Sequence, residues 1–167
     1  MKKYYMAYGS NLNYYQMRRR CPLARFVGKT ILEGYELVFK ISKTGAYLTI
    51  QPSEKGKVPV AIWQLTESDE ESLDCCEGYP IYYGKQEFAI QYKGTITGRK
   101  HKVKVFTYLL PSDRPFGMPS ERYFTTCLIG YDHHGFDHRL LYEARNRSLR
   151  YLRDEPRTCP YCGNIID

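Results

Sequence analysis

No apolar run in the 167 residues approaches the roughly 20 needed to cross a bilayer, which excludes a membrane-spanning helix. The opening residues, Met1-Lys2-Lys3-Tyr4-Tyr5-Met6, carry positive charge but lack the sustained apolar segment and small-residue cleavage site of an export leader, so a cytoplasmic protein is expected. Internal repeats and low-complexity stretches are missing. Neither a nucleophile elbow nor a phosphate-binding loop is present; Gly28-Lys29-Thr30 lacks the upstream glycine that such a loop requires. A disulfide framework is not expected either. The six cysteines are dispersed: Cys75-Cys76 is adjacent, Cys21 and Cys127 stand alone, and only Cys159 and Cys162 have the Cys-x-x-Cys spacing, so reduced thiols are the default.

What is present is enough for one core. The length suits a single domain, and a 43% hydrophobic content with 15% aromatics can fill its interior. The net charge of +7 raises the question of a polyanionic partner. Its basic residues fall into separate groups, at 18–20, 99–102 and 145–153, which solvated turns and helix faces explain, so nucleic acid is not an expected partner. Attraction of small anionic substrates is a further reading of the same charge.

Along the chain, residues 4–8 read as a strand running into the turn-forming Gly9-Ser10-Asn11, and residues 13–20 as a short helix capped by Asn11 or Asn13 and stopped by Pro22. Glycine-separated β-prone stretches follow over 27–41, 47–50 and 58–65. Thr66 or Ser68 can cap an acidic-start helix that Gly78 terminates, delivering Glu77 at its C-terminal end. Strands are expected over 88–92 and 103–110, joined by a polar segment. A helix capped by Ser120 and ended by Gly130 follows, then another after Gly135 with Leu140, Leu141, Ala144 and Leu149 on one side. About six strands with inserted and appended helices give an α+β fold, its strands curling into a small barrel or strongly bent sheet. The folded domain spans 1–154, and 155–167 forms a tail carrying Cys-x-x-Cys.

Two segments carry candidate chemistry. Successive amides in the Tyr8-Gly9-Ser10-Asn11 turn can form a concave donor site for a carboxylate or oxyanion, with Ser10 and Asn11 adding side-chain donors; an ordinary tight turn is the plain alternative. Glu77 stands among cysteines, tyrosines and Pro80, beyond the acidic helix face. Partial burial would raise its pKa and let it both accept and donate a proton, whereas a structural acid paired with Arg or Lys is the alternative.

Tyr8-Gly9-Ser10-Asn11-Leu12, Val60-Ala61-Ile62-Trp63, Leu73-Asp74 with Glu77-Gly78 and Tyr82-Tyr83, and Pro119-Ser120-Glu121-Arg122-Tyr123 occur in one order over residues 4–142. In this the chain resembles the gamma-glutamylcyclotransferase-like family. The resemblance implies a small mixed β-barrel with surrounding helices and cyclisation of a gamma-glutamyl amide to 5-oxoproline with release of an amine or amino acid. It implies Glu77 as the acid/base, and Tyr8, Gly9, Ser10, Asn11, Leu12, Tyr83 (or Tyr82) and Tyr123 around the small-molecule gamma-glutamyl substrate. A catalytically silent member, binding a small ligand or a macromolecule through the same pocket or the basic surface, is the alternative. No cofactor is required for the cyclisation.

Cys159 and Cys162 are candidate ligands for a structural zinc in the tail, half of a four-ligand site. His133, His134, His138, Cys75, Cys76 or a second chain would have to complete it; loop and helix-surface positions are the expectation for the histidines. The sequence sets no oligomeric state.

Overall fold

The computed structural model describes residues 2–154 and the backbone of 157–158 and 165–166. Five strands close a barrel in the order β1-β3-β2-β4-β5, formed by β1 (Lys3–Ala7), β2 (Arg25–Ile41), β3 (Ala46–Leu65), β4 (Gly84–Gly94) and β5 (Lys100–Leu109). Neighbours are antiparallel except β1 and β5, which pair in parallel at Tyr5 and Phe106 and complete the closure. The barrel is therefore mixed, as expected, and it has five strands instead of about six. The difference lies in β2 and β3. Their glycines do not separate strands; the register shifts at Phe26/Gly28 and Glu33/Tyr35, so each break is a bulge within one long hairpin.

Among the described residues, four α-helices surround the barrel: α1 (Tyr14–Arg20), α2 (Glu67–Glu77), α3 (Glu121–His134) and α4 (Arg139–Asp154). Asn13 caps α1 by accepting from the amides of Tyr15 and Gln16. Thr66 and Asp69 form a reciprocal capping box on α2, and Gly78 ends that helix at φ 65°, a conformation that glycine adopts without a Cβ clash. Leu73 is fully buried one turn before Glu77. Residues four apart share a helix face, so burying Leu73, which stabilises by roughly 1.5–3 kcal/mol, also turns Glu77 toward the barrel.

Gly130 does not end α3, which continues to His134 and stops at Gly135 in the left-handed conformation. The glycine serves close approach instead: a Cβ at residue 130 would lie 2.8 Å from both Leu12 Cβ and the Asn13 amide. α4 buries Leu141, Ala144 and Ser148. No helix among the described residues is long and apolar enough to cross a membrane. A short backbone pairing of β6 (Arg157–Thr158) with β7 (Ile165–Ile166) follows.

Candidate active site

The chain leaving β1 passes Tyr8 and Gly9 and makes a single 3-10 turn, Ser10–Leu12, closed by Leu12 N donating to Gly9 O (3.0 Å). The amides of Ser10 and Asn11 precede that first turn bond and so have no acceptor within the turn. Gly9 adopts a negative φ, −115°, so its use is spatial: a Cβ there would come 3.3 Å from the Tyr123 hydroxyl.

α3 fixes this loop from behind. Asn13 Nδ2 donates to Thr126 O (3.3 Å), Tyr14 N to His133 Nδ1 (3.1 Å), and His134 Nε2 to Leu12 O (2.9 Å). His134 is thus buried and not a helix-surface residue; burial lowers its pKa to about 4 and keeps it neutral. Leu12, expected beside the substrate, is fully buried and faces the core. Its apolar side chain anchors the loop against α3 at Gly130.

Glu77 meets the loop across the cleft. Its Oε1 accepts from Asn11 Nδ2 (3.3 Å) and Arg20 Nη1 (3.0 Å). Arg20 also donates to Asn11 Oδ1 (3.0 Å), and because a guanidinium only donates, this bond fixes the Asn11 amide with its nitrogen toward Glu77 and Tyr5. Gln16 completes the network by donating to Ser10 Oγ (2.7 Å) and Asn11 Oδ1 (3.0 Å). Two donors that cannot accept occupy Oε1, so a proton taken up by Glu77 resides on Oε2. That oxygen has no hydrogen bond among the described residues.

The Glu77 side chain is 16% exposed. Burial raises its pKa above the ordinary carboxylate value, while the charge of Arg20 and the bonds from Asn11 and Arg20 pull it back. The nearby hydroxyls move the other way from usefulness as bases: burial pushes Tyr8, Tyr83 and Tyr123 well above the usual phenol range, leaving them as neutral hydrogen-bonding groups. Tyr8 donates to Tyr108 O (2.6 Å), and Tyr123 accepts from Leu48 N (3.2 Å).

An outer chamber of about 330 Å³ narrows to a recess of about 30 Å³, and both are bordered by Ser10, Glu77, Tyr83 and Tyr123. Tyr8, Gly9 and Asn11 line the recess only. Tyr83 reaches both spaces, whereas Tyr82 borders the outer chamber, packed where a Cβ on Gly78 would fall. A larger cavity of about 460 Å³ lies elsewhere, among Tyr35, Ile50, Pro52, Leu109 and Pro111, and no carboxylate lines it. Of these two spaces, the cleft at Glu77 is the one that offers a carboxylate.

Sequence reasoning missed Arg20 and Gln16. The sequence places Arg20 in a basic group that a solvated face explains, yet Arg18 and Arg19 are exposed while Arg20 turns inward. The available signal was its i, i+4 spacing from Gln16 on a helix that begins beside the loop. No cluster of His, Cys, Asp and Glu able to hold a metal occurs among the described residues, and Cys159 and Cys162 lie outside them.

A family model described as "Gamma-glutamyl cyclotransferase, AIG2-like" matches residues 5–124. The chain belongs to this family. Among solved structures, one named "Gamma-glutamyl cyclotransferase" shares 22% identity at a TM-score of 0.70, covering 100% of this chain and 95% of the other. The Homo sapiens protein loc79017 is 22% identical at 0.68, with coverages of 99% and 94%. A yeast gamma-glutamyl cyclotransferase specific to glutathione is 11% identical at 0.58, covering 88% and 96%. At these identities the likeness establishes the gamma-glutamyl cyclotransferase fold. No curated protein sequence matches the chain.

Proposed function

We propose that this cytoplasmic family member cyclises a gamma-glutamyl amide to 5-oxoproline and releases an amine or amino acid, with Glu77 as general base and then general acid. The observation that carries the reading is the Glu77 carboxyl group. It borders both chamber and recess, with one oxygen held by Asn11 and Arg20 and the other unoccupied.

A gamma-glutamyl group contains its own nucleophile. The α-amine attacks the γ-carbonyl carbon, a five-membered ring closes, and the C–N bond to the departing amine breaks. Holding the extended chain in the folded, attack-ready shape supplies much of the acceleration, and effective molarities for such reactions reach on the order of 10⁵–10⁸ M. The α-ammonium has an ordinary pKa of about 7.7–8.0, so a carboxylate whose own pKa is raised removes its proton at reduced cost. Oε2 of Glu77 takes one proton from the α-ammonium before attack and returns it to the departing nitrogen, which leaves as an amine; the attacking nitrogen sheds a second proton as the lactam forms, the amine takes that one up as an ammonium, and the enzyme is left unchanged.

The amides of Ser10 and Asn11, with the Ser10 hydroxyl, would hold the α-carboxylate or the oxyanion of the tetrahedral intermediate. Tyr83 and Tyr123 would close the walls around the glutamyl chain and exclude water, which favours ring closure over hydrolysis. No metal or organic cofactor enters these steps.

The Arg20–Glu77 pair also supports a second reading, a catalytically silent member in which the guanidinium keeps the carboxylate engaged and the cleft only binds a small carboxylate. Mass detection of the products from gamma-glutamyl dipeptides and gamma-glutamylamines separates the two. The enzyme reading expects 5-oxoproline in equal amount to released amine; binding without product supports the silent one, and free glutamate would make it a hydrolase.

A further inference from the structure

The β2–β3 hairpin turns at the outer edge of the cleft, where Ser42 N donates to Gly45 O (2.8 Å) and leaves Lys43 and Thr44 at the tip. Ser42, Lys43 and Thr44 all border the outer chamber, opposite Cys75, Cys76 and Tyr82. The Lys43 ammonium lies 5.4 Å from the centre of the Tyr82 ring, close enough for a cation–π contact across the mouth.

Three charged groups line the chamber: Arg20, Lys43 and Glu77. Arg20 and Glu77 pair with each other. Lys43 forms no ion pair with a carboxylate among the described residues. The chamber thus has one cation left over, at its mouth and on a tight turn. A gamma-glutamyl substrate carries its α-ammonium and α-carboxylate on one carbon. An ammonium placed at Glu77 therefore leaves the α-carboxylate in the recess, beside the Ser10 and Asn11 amides. The scissile amide is at the opposite end of the glutamyl chain, so the departing amine projects outward to the hairpin.

We propose that Lys43 selects substrates whose departing amine carries a carboxylate, so that gamma-glutamyl amino acids are preferred over gamma-glutamyl derivatives of simple amines. The inference rests on the gamma-glutamyl reading above. Lys43 is solvent-exposed, so its ion pair with the carboxylate is screened and contributes about a fivefold preference, the value for two unit charges about 4 Å apart in water.

Gamma-glutamylalanine and gamma-glutamylethylamine differ only by that carboxylate and make a matched pair. The wild-type protein should favour the alanine compound about fivefold in kcat/KM, through KM, and less so as salt is raised. Lys43→Ala should remove the preference and Lys43→Glu should reverse it. The same ratio is read as Kd by calorimetry with Glu77→Gln. Absence of turnover therefore overturns the acid/base reading alone, while the affinities still decide the role of Lys43. Equal losses for both compounds in Lys43→Ala would assign Lys43 to the α-carboxylate and overturn the proposal, as would a wild-type preference for gamma-glutamylethylamine.

Discussion

Replacing Gly130 with alanine tests how the substrate loop is positioned. In an ordinary helix interior, Gly→Ala stabilises by about 1 kcal/mol, because the unfolded chain has less freedom to lose. At this position the new Cβ would meet Leu12 Cβ and Asn13 N at 2.8 Å and Leu12 C at 2.9 Å. Two of those three atoms are backbone, so no rotamer change relieves the contact. Overpacking costs typically 1–3 kcal/mol, and with backbone in the way the upper figure applies. Offset by the helix gain, the net loss is about 2 kcal/mol. For a chain of this size that lowers Tm by roughly 4–8 °C. A displaced loop would also carry Ser10 and Asn11 away from Glu77, and misplacement by about 1 Å can cost on the order of 100-fold in rate. Calorimetric melts and kcat/KM on gamma-glutamylalanine should therefore fall together. A raised Tm with unchanged kinetics would refute the close approach of α3 to the loop.

Other outcomes follow from the charges. Arg20→Gln removes the cation that favours ionised Glu77, so the acid limb of the kcat/KM profile should move to higher pH; an unmoved limb would uncouple the two residues. His134 has a folded pKa of about 4, below the ordinary 6.5, so the unfolded chain takes up the proton first. Its contribution to stability is complete above about pH 6.5 and is lost as pH falls toward 4, by about 3 kcal/mol in all. His134→Gln should therefore lose less Tm than wild type between about pH 7 and 4, and parallel slopes would contradict the buried neutral imidazole.

Local chemistry made much of this molecule legible. Asn13, Thr66 and Ser120 start helices through bonds from their own side chains, and Gly78 stops one through a left-handed backbone angle that the lack of a Cβ permits. The placement of Glu77 at the end of an acidic-start helix was readable for the same reason. What escaped depends on contacts distant in sequence. Nothing local distinguishes a glycine that ends a helix from one, like Gly130, that lets another segment approach. Likewise the glycines of β2 read as separating strands, although Gly28 pairs with Ile62 and the irregularity at Gly34 is absorbed within one long strand paired with β3. In the run Arg18-Arg19-Arg20, successive side chains point about 100° apart, and only the position of Glu77 decides which one turns inward. Leu12 matched the loop motif, yet its apolar side chain went to the core, as burial demands.

The most direct measurement is the rate of 5-oxoproline formation from gamma-glutamylalanine by Glu77→Gln, with affinity measured on the same sample. Gln keeps the oxygen that Asn11 and Arg20 hold and removes the proton-accepting one. The variant should bind with Kd close to that of wild type and lose about 10²–10⁴ in kcat, the range for general acid/base catalysis. Turnover within a few fold of wild type would contradict the assignment of proton transfer to this carboxylate.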